Sequence, residues 1–485
     1  MNAPAAGRPL DARTAAVSVV AQALGRAITL GAVVLSTAVV ARAVGIEGYA
    51  DWATVLSLVA LVGFALDPGI TPVIVRLLAQ DPADAPTPAA MRAVRLALAS
   101  AALVAIVGLT VALRGIDAAP IGLALGAQVL PRALVLNAAP WLQADHRLHR
   151  QTALEAVCAG LGLVLLVLVA AAGGTVELLA VAGFTGPAVV LAVLMRRELR
   201  LTPSSRLVSA GPQGPKVRAV LREVAPLAVA LVLVTIYARI YVVFVNAAED
   251  AAGVAQYLFA FQFVEQIFLV AGIIAATLLP LLARRGRHVQ LLGDRLTHEL
   301  VVAITAFGAI GAAAIVATAA PVCRLIGGPE LADADRYLTL LAPMSALVLP
   351  AFLLGYLYLA IGLGRRYLWF NLVGLVVNVA GNAALTLTYG ADATARVSWA
   401  TEAVVIGCAL VPIVRSGASG RATAVRVALL LGGAVAGAEL AAAGVVAPFV
   451  GAVGIATVAL AGGGAHLRRF VALIRSNAPP DAIVT

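Results

Sequence analysis

Long apolar runs alternate with short polar interruptions from Thr14 to Phe470. Many runs hold 18 or more residues free of charge, the length a helix needs to cross a bilayer. Setting these runs against the loop signals predicts fourteen helices. The first six cover 14–41, 52–76, 93–113, 118–143, 152–172 and 176–195. The next six cover 224–246, 252–283, 298–320, 337–363, 367–389 and 397–414. A last pair covers 424–445 and 447–465.

Composition turns this pattern into a fold class. Of 485 residues 62% are hydrophobic and 12% charged, with mean hydropathy +1.00. A soluble domain carries about twice that share of charge, so the chain cannot clothe a water-exposed surface of this size. An all-α polytopic membrane protein follows. Residues 1–13 are polar and carry Arg8 and Arg13. No small-residue cleavage site follows the first run, which therefore reads as a retained helix rather than a signal peptide. Cys158, Cys323 and Cys408 are far apart and lack metal-site spacing; they read as small residues packed between helices. The pattern offers no metal cluster, nucleotide-binding loop or cofactor motif.

The formal charge of +10 is explained by the loops and not by a nucleic-acid partner. If the first polar segment is cytoplasmic, 26 of the 34 Lys and Arg fall on that side and five (Arg42, Arg114, Arg324, Arg336, Arg396) on the other. Arg26, Arg132 and Arg239 fall inside spans. Arg95 is counted with the cytoplasmic group. The alternation is unbroken, as the positive-inside rule requires, and predicts a multi-pass protein of the cytoplasmic membrane with both termini inside.

An internal repeat shapes the domains. Tyr49 is followed by Pro72 and Arg76, and Tyr257 by Pro280 and Arg284, at identical spacing. Thr185-Gly-Pro-Ala-Val-Val and Thr401-Glu-Ala-Val-Val form a weaker echo. The expected organisation is a six-helix lobe (1–195), a basic linker (196–222), a second six-helix lobe (223–415) and a trailing pair with its tail (416–485). Parallel repeats of this kind are a transporter architecture.

Several of these segments are similar to known motifs. Ala43-Val-Gly-Ile-Glu-Gly-Tyr-Ala resembles the LGxxxYG turn of bacterial polysaccharide flippases, and Asp67-Pro-Gly-Ile resembles their D-x-G-[LI]. Ala251-Ala-Gly-Val-Ala-Gln-Tyr-Leu-Phe-Ala, then Glu265 and Leu279-Pro-Leu-Leu-Ala-Arg, are similar to the second-lobe counterpart. Asn378-Val-Ala-Gly-Asn, Tyr389-Gly and Ala400-Thr-Glu resemble the stretch over helices eleven and twelve. The likeness spans about residues 14–415. These flippases belong to the multidrug/oligosaccharidyl-lipid/polysaccharide exporter superfamily. The resemblance implies a MATE-like, V-shaped pair of six-helix bundles. It also implies movement of a polyprenyl-pyrophosphate-linked saccharide from the inner to the outer leaflet for cell-surface polysaccharide synthesis, alongside other polysaccharide-assembly membrane proteins. One departure stands out: the family's seventh helix often reads R-[IL]-D, whereas this chain has Arg239-Ile-Tyr241.

Ionisable residues deep in a bilayer cost about 2.5–3.5 kcal/mol each on insertion scales and call for a partner or a watery cavity. Arg26 lies roughly 20 Å along a helix from Arg13, near mid-membrane, and Glu265 is equally central. Arg239 falls in the outer half, Arg132 deep in the fourth span, and Asp67 in the inner half near Arg76, its plain electrostatic partner. A pyrophosphate needs cationic donors, and guanidinium is a planar fork that stays charged. Arg26, Arg239 and Arg132 are therefore the candidate head-group ligands, against the alternative of ion pairs packing the bundle or snorkelling. Glu265, flanked by Gln262 and Gln266, is a candidate coupling carboxylate or charge partner, as is Asp67. Gln262, Asn378 and Asn382 are polar cavity or helix-packing residues; the two asparagines, four apart, read first as interhelical glue. Glu155 and Glu402 fall near span ends and read as interfacial. Glu439 is placed deep in the thirteenth span with no role.

Two other functions compete. A cation-coupled drug exporter of MATE type is expected to carry an aspartate deep in its first helix, but no acidic residue lies between Arg13 and Arg42. A membrane glycosyltransferase or polymerase needs a sizeable outer loop with catalytic acids; the longest here, 321–336, is short, and its Glu330, Asp333 and Asp335 read as solvated loop charges.

Overall fold

The computed structural model describes residues 12–63, 66–67, 69–82, 84–145, 147–202, 212–284 and 292–476. The described residues are almost entirely helical, without strands. Contacts divide the chain into two compact units, Met1–Val232 and Leu233–Thr485.

The first unit opens with α1 (Ala12–Ala43). The second predicted run is two helices, α2 (Gly45–Gly63) and α3 (Ile70–Gln80). Between them Gly69 takes φ 98°, a left-handed conformation that favours glycine, two residues after Asp67. Next come α4 (Pro88–Arg114), α5 (Ile116–Ala144, with a turn at residues 127–128), α6 (Leu148–Ala171) and α7 (Val176–Arg200). Helix α8 (Gln213–Arg239) starts in this unit. Its Val220 and Val224 pack with Ile70, Ile74 and Leu78 of α3, Met91 of α4 and Trp141 of α5. The basic residues 196–200 and 213–222 are thus carried on helix ends. Midway along α7, residues 181–185 make i→i+5 bonds, a one-turn widening that shifts the helix face.

The second unit runs from α9 (Tyr241–Ala248) through α10 (Ala251–Arg284), α11 (Arg295–Gly327) and α12 (Ala334–Ala360). It closes with α13 (Gly364–Tyr389), α14 (Ala391–Arg415), α15 (Ala418–Ala442) and α16 (Pro448–Ser476). Almost every residue of α12 is buried. Its Ser345 hydroxyl donates to the Gly308 carbonyl of α11 at 2.7 Å. Helix α16 lies along α11, where a Cβ on Gly463 would sit inside the contact radius of the Ala306 methyl. The trailing pair is therefore packed into the second unit by bare helix surface.

Among the described residues twelve helices are long and apolar enough to cross a membrane, and Gly31–Ala43 and Thr235–Ala248 are shorter apolar stretches. The last two overlap the first and seventh predicted runs and extend two residues past them. The repeat tyrosines hold equivalent places: Tyr49 and Tyr257 are both fully buried in the second turn of α2 and α10. The repeats diverge afterwards, because α10 is continuous where the first unit breaks.

Candidate functional site

In the first unit the broken helix organises the charges. Asp67 accepts from the Thr71 N–H at 2.9 Å and from its hydroxyl, capping α3. The partner of Asp67 is Arg95, 3.5 Å away and fully buried in α4. Two sequence expectations are corrected here. Arg95 does not belong to the loops, since α4 begins at Pro88 and places it two turns inside the helix. Arg76 does not pair with Asp67, since it stands six residues into α3 and reaches Glu223 of α8 at 2.6 Å. Thr71 also accepts from Arg95 at 3.1 Å, while the Nε and Nη1 of Arg95 meet no partner among the described residues.

Arg132 lies in α5, roughly 18 Å along the helix from Ala144, with its side chain exposed and in no ion pair among the described residues. Arg26 is on α1, but its side chain is outside those described.

In the second unit Arg239, the last residue of α8, forms an ion pair with Glu265 of α10. Both remain about one-quarter exposed, at 25% and 26%. The Tyr241 hydroxyl stands 3.4 Å from the same carboxylate, over the Phe261 ring at 3.8 Å between centroids. Gln262, one turn before Glu265, is half-buried and accepts from Gln266 through its carbonyl at 3.2 Å. Arg239, the candidate substrate cation, and Glu265, the candidate coupling acid or charge partner, are thus each other's ion-pair partner.

Behind them lies a second acid. Glu402 of α14 is 7% exposed and accepts from the Tyr237 hydroxyl of α8. This corrects the interfacial reading of Glu402. Helix α14 begins at Ala391, where Gly390 turns with φ 71° and Glu249 accepts from the Ala391 N–H at 2.6 Å. The earlier start moves Glu402 to the middle of the span. Tyr237, Tyr241, Phe261, Asn378, Ser398 and Glu402 line a void of about 10 Å³, space for about one water molecule. Asn382 donates to the Asn378 carbonyl and side-chain oxygens at 2.9 and 3.0 Å, and accepts from Thr386 at 2.8 Å. Thr386 in turn meets Thr394 of α14 at 2.9 Å. The asparagines therefore bond along α13 and join it to α14.

Glu439 acquires a partner as well. It stands in the last turn of α15 rather than deep within it, and Arg396 of α14 grips it bidentately with both bonds at 2.9 Å. Arg95, Tyr237 and Glu402 are the residues that sequence reasoning missed. The signal for Glu402 was the glycine at 390, which marks a helix start six residues upstream of the assumed one.

No family model and no curated protein matches this chain. Solved structures do. The chain resembles "Lipid II flippase MurJ, inward closed conformation" with TM-score 0.68 and 11% identity, over 94% of this chain and 99% of that one. It resembles a multidrug resistance MATE family transporter of the MOP superfamily with 17% identity in two states. The inward-facing state gives TM-score 0.58 over 80% of this chain and 95% of that one. The outward-facing state gives 0.54 over 83% and 96%. The chain is thus an all-α membrane protein with the fold shared by the MurJ flippase and MATE transporters.

Proposed function

We propose that this chain is a flippase that carries a polyprenyl-pyrophosphate-linked saccharide from the inner to the outer leaflet of a bacterial cytoplasmic membrane. The observation that carries this reading is the extent of the structural match. Coverage of 94% by the lipid II flippase leaves out fewer residues than the stretch 416–485 contains, so part of the trailing pair is included. The deep charge of α1 adds support, being cationic with no acid between Arg13 and Arg42. In this reading the lobes are 1–195 and 223–415, joined by the basic linker 196–222, with both termini cytoplasmic. Arg26, Arg239 and Arg132 supply guanidinium to the pyrophosphate, and Glu265 releases Arg239 when the anion arrives. The prenyl tail stays in lipid while the two lobes alternate access. The test is transfer of a labelled lipid-linked saccharide across reconstituted vesicles. Replacing Arg26 and Arg239 together with alanine should abolish transfer in folded protein; wild-type flux in that variant would defeat the proposal.

A second reading is favoured by one feature. The buried Glu402–Tyr237 pair beside a water-sized void suits a cation-coupled exporter of MATE type. Flux of a cationic dye driven by an imposed proton or sodium gradient, without transfer of the lipid-linked saccharide, would decide for it.

A further inference from the structure

The first unit carries a groove of about 410 Å³ whose lining comes from three of its helices. Leu96 of α4, Leu130 and Leu134 of α5, and Val189 and Val193 of α7 line it, with Arg196 of α7 at one end. Its shape follows from the backbone. Gly162 of α6 and Gly183 of α7 touch so closely that a Cβ on Gly162 would overlap the Gly183 carbonyl, which draws α7 towards α6 at its widened turn. Helix α5 is left as a floor between α4 and α7. The one hydroxyl in the lining, that of Thr185, is already spent on the Ala124 carbonyl at 2.6 Å. A sugar or nucleotide would find no hydrogen bond inside; an alkyl chain needs none.

The end of the groove has the opposite character. Arg196 is exposed there, and Arg92, one turn before Leu96 on α4, is exposed too. Neither has an acidic partner among the described residues. Arg76 and Arg150 of the same unit are instead neutralised, by Glu223 at 2.6 Å and by Glu198 at 3.1 Å. An apolar slot lined at one end by Arg196, with Arg92 on the turn of α4 before the lining residue Leu96, complements a molecule with an alkyl chain and an anionic phosphate.

We infer that this groove binds an anionic phospholipid of the surrounding bilayer, its acyl chain along α5 and its phosphodiester on Arg92 and Arg196. The site belongs to the first unit alone and does not depend on what the protein transports. A phosphatidylcholine or phosphatidylethanolamine head group would bring its own cation against the arginines, so selectivity is for a net negative charge.

The full chain, purified in mild detergent, is offered phosphatidylglycerol and phosphatidylcholine of identical acyl chains, and retained lipid is counted by native mass spectrometry. Wild-type protein should retain phosphatidylglycerol preferentially. Arg92→Gln with Arg196→Gln should lower that retention by about tenfold or more, from the electrostatic worth of two basic residues near a lipid surface. Val189→Trp, which fills the slot and spares both arginines, should lower it as well. Equal retention of the two lipids by wild-type protein overturns the proposal and needs no variant. Undiminished retention in both variants also overturns it, as does preference for a polyprenyl phosphate over phosphatidylglycerol. Stabilisation by glycerol phosphate alone, to the same extent as by the lipid, would overturn the acyl-chain assignment.

Discussion

Arg95 of α4 reaches across to Asp67 at the break between α2 and α3, its guanidinium 3.5 Å from the carboxylate and wholly excluded from the surface. The same carboxylate caps α3 through Thr71. One buried cation therefore fixes the point where the second span stops and restarts. Removing one member of a buried pair leaves the other uncompensated, at a cost of about 3–5 kcal/mol. Arg95→Met should markedly lower the midpoint of thermal unfolding in detergent. Arg95→Met with Asp67→Asn should recover a large part of that loss. A double variant no better than the single one would show that the pair is not a unit.

The Arg239–Glu265 pair yields a prediction with two arms. Glu265 accepts from Arg239 while both remain partly exposed, so in the proposed flippase an incoming anion would compete with Glu265 for one guanidinium. Glu265→Gln removes the internal competitor. Binding of a pyrophosphate-bearing lipid, followed by spin-label or fluorescence titration, should tighten about tenfold, the direction expected when a charged partner is lost. Vesicle transfer should slow, because release no longer has a carboxylate to recapture Arg239. Arg239→Ala should weaken binding by a similar factor. Unchanged binding in both variants would remove this pair from the transport path.

Much of this architecture was legible because bilayer physics demands long uncharged runs. The apolar runs overlap described helices, the second run being broken in two, and the two repeat tyrosines are buried alike. Helix ends were harder to place. A hydropathy signal averaged over about 19 residues cannot see that Gly390 starts α14 ahead of Asp392 and Arg396. Charges at a span's mouth look like loop until their partners are known, and here Arg336 pairs with Asp392 and Arg396 with Glu439. Arg95 reads as a loop charge for the same reason. Its partner is 28 residues earlier in the chain, at a helix break whose backbone geometry no periodicity reveals.

Glu402 tests the rival reading without disturbing the fold. Its carboxylate accepts from the Tyr237 hydroxyl, and glutamine keeps an acceptor at that place while abolishing protonation. If cation coupling runs through this acid, Glu402→Gln should leave folding intact and make flux insensitive to an imposed proton or sodium gradient. Tyr237→Phe leaves a buried carboxylate short of a donor, at a cost of about 1–3 kcal/mol, and should lower thermal stability more than Glu402→Gln does. A gradient response that survives in Glu402→Gln would leave the pair a structural one.

The contact between Gly463 of α16 and Ala306 of α11 makes the strongest claim about the trailing helices. No Cβ fits at Gly463 while the Ala306 methyl stays in place, and Ala306 is wholly buried. Gly463→Ala overpacks the crossing, and such insertions cost about 1–3 kcal/mol. Glycine to leucine at the same place should drive α16 away from α11 and lower both yield and unfolding midpoint further. If the two surfaces meet as described, Ala306→Gly should rescue Gly463→Ala, because the methyl group has only changed sides. Failure of that exchange, with each single variant destabilised, would mean that α16 packs on α11 through other residues. Success would anchor the trailing pair to the second unit through this helix crossing.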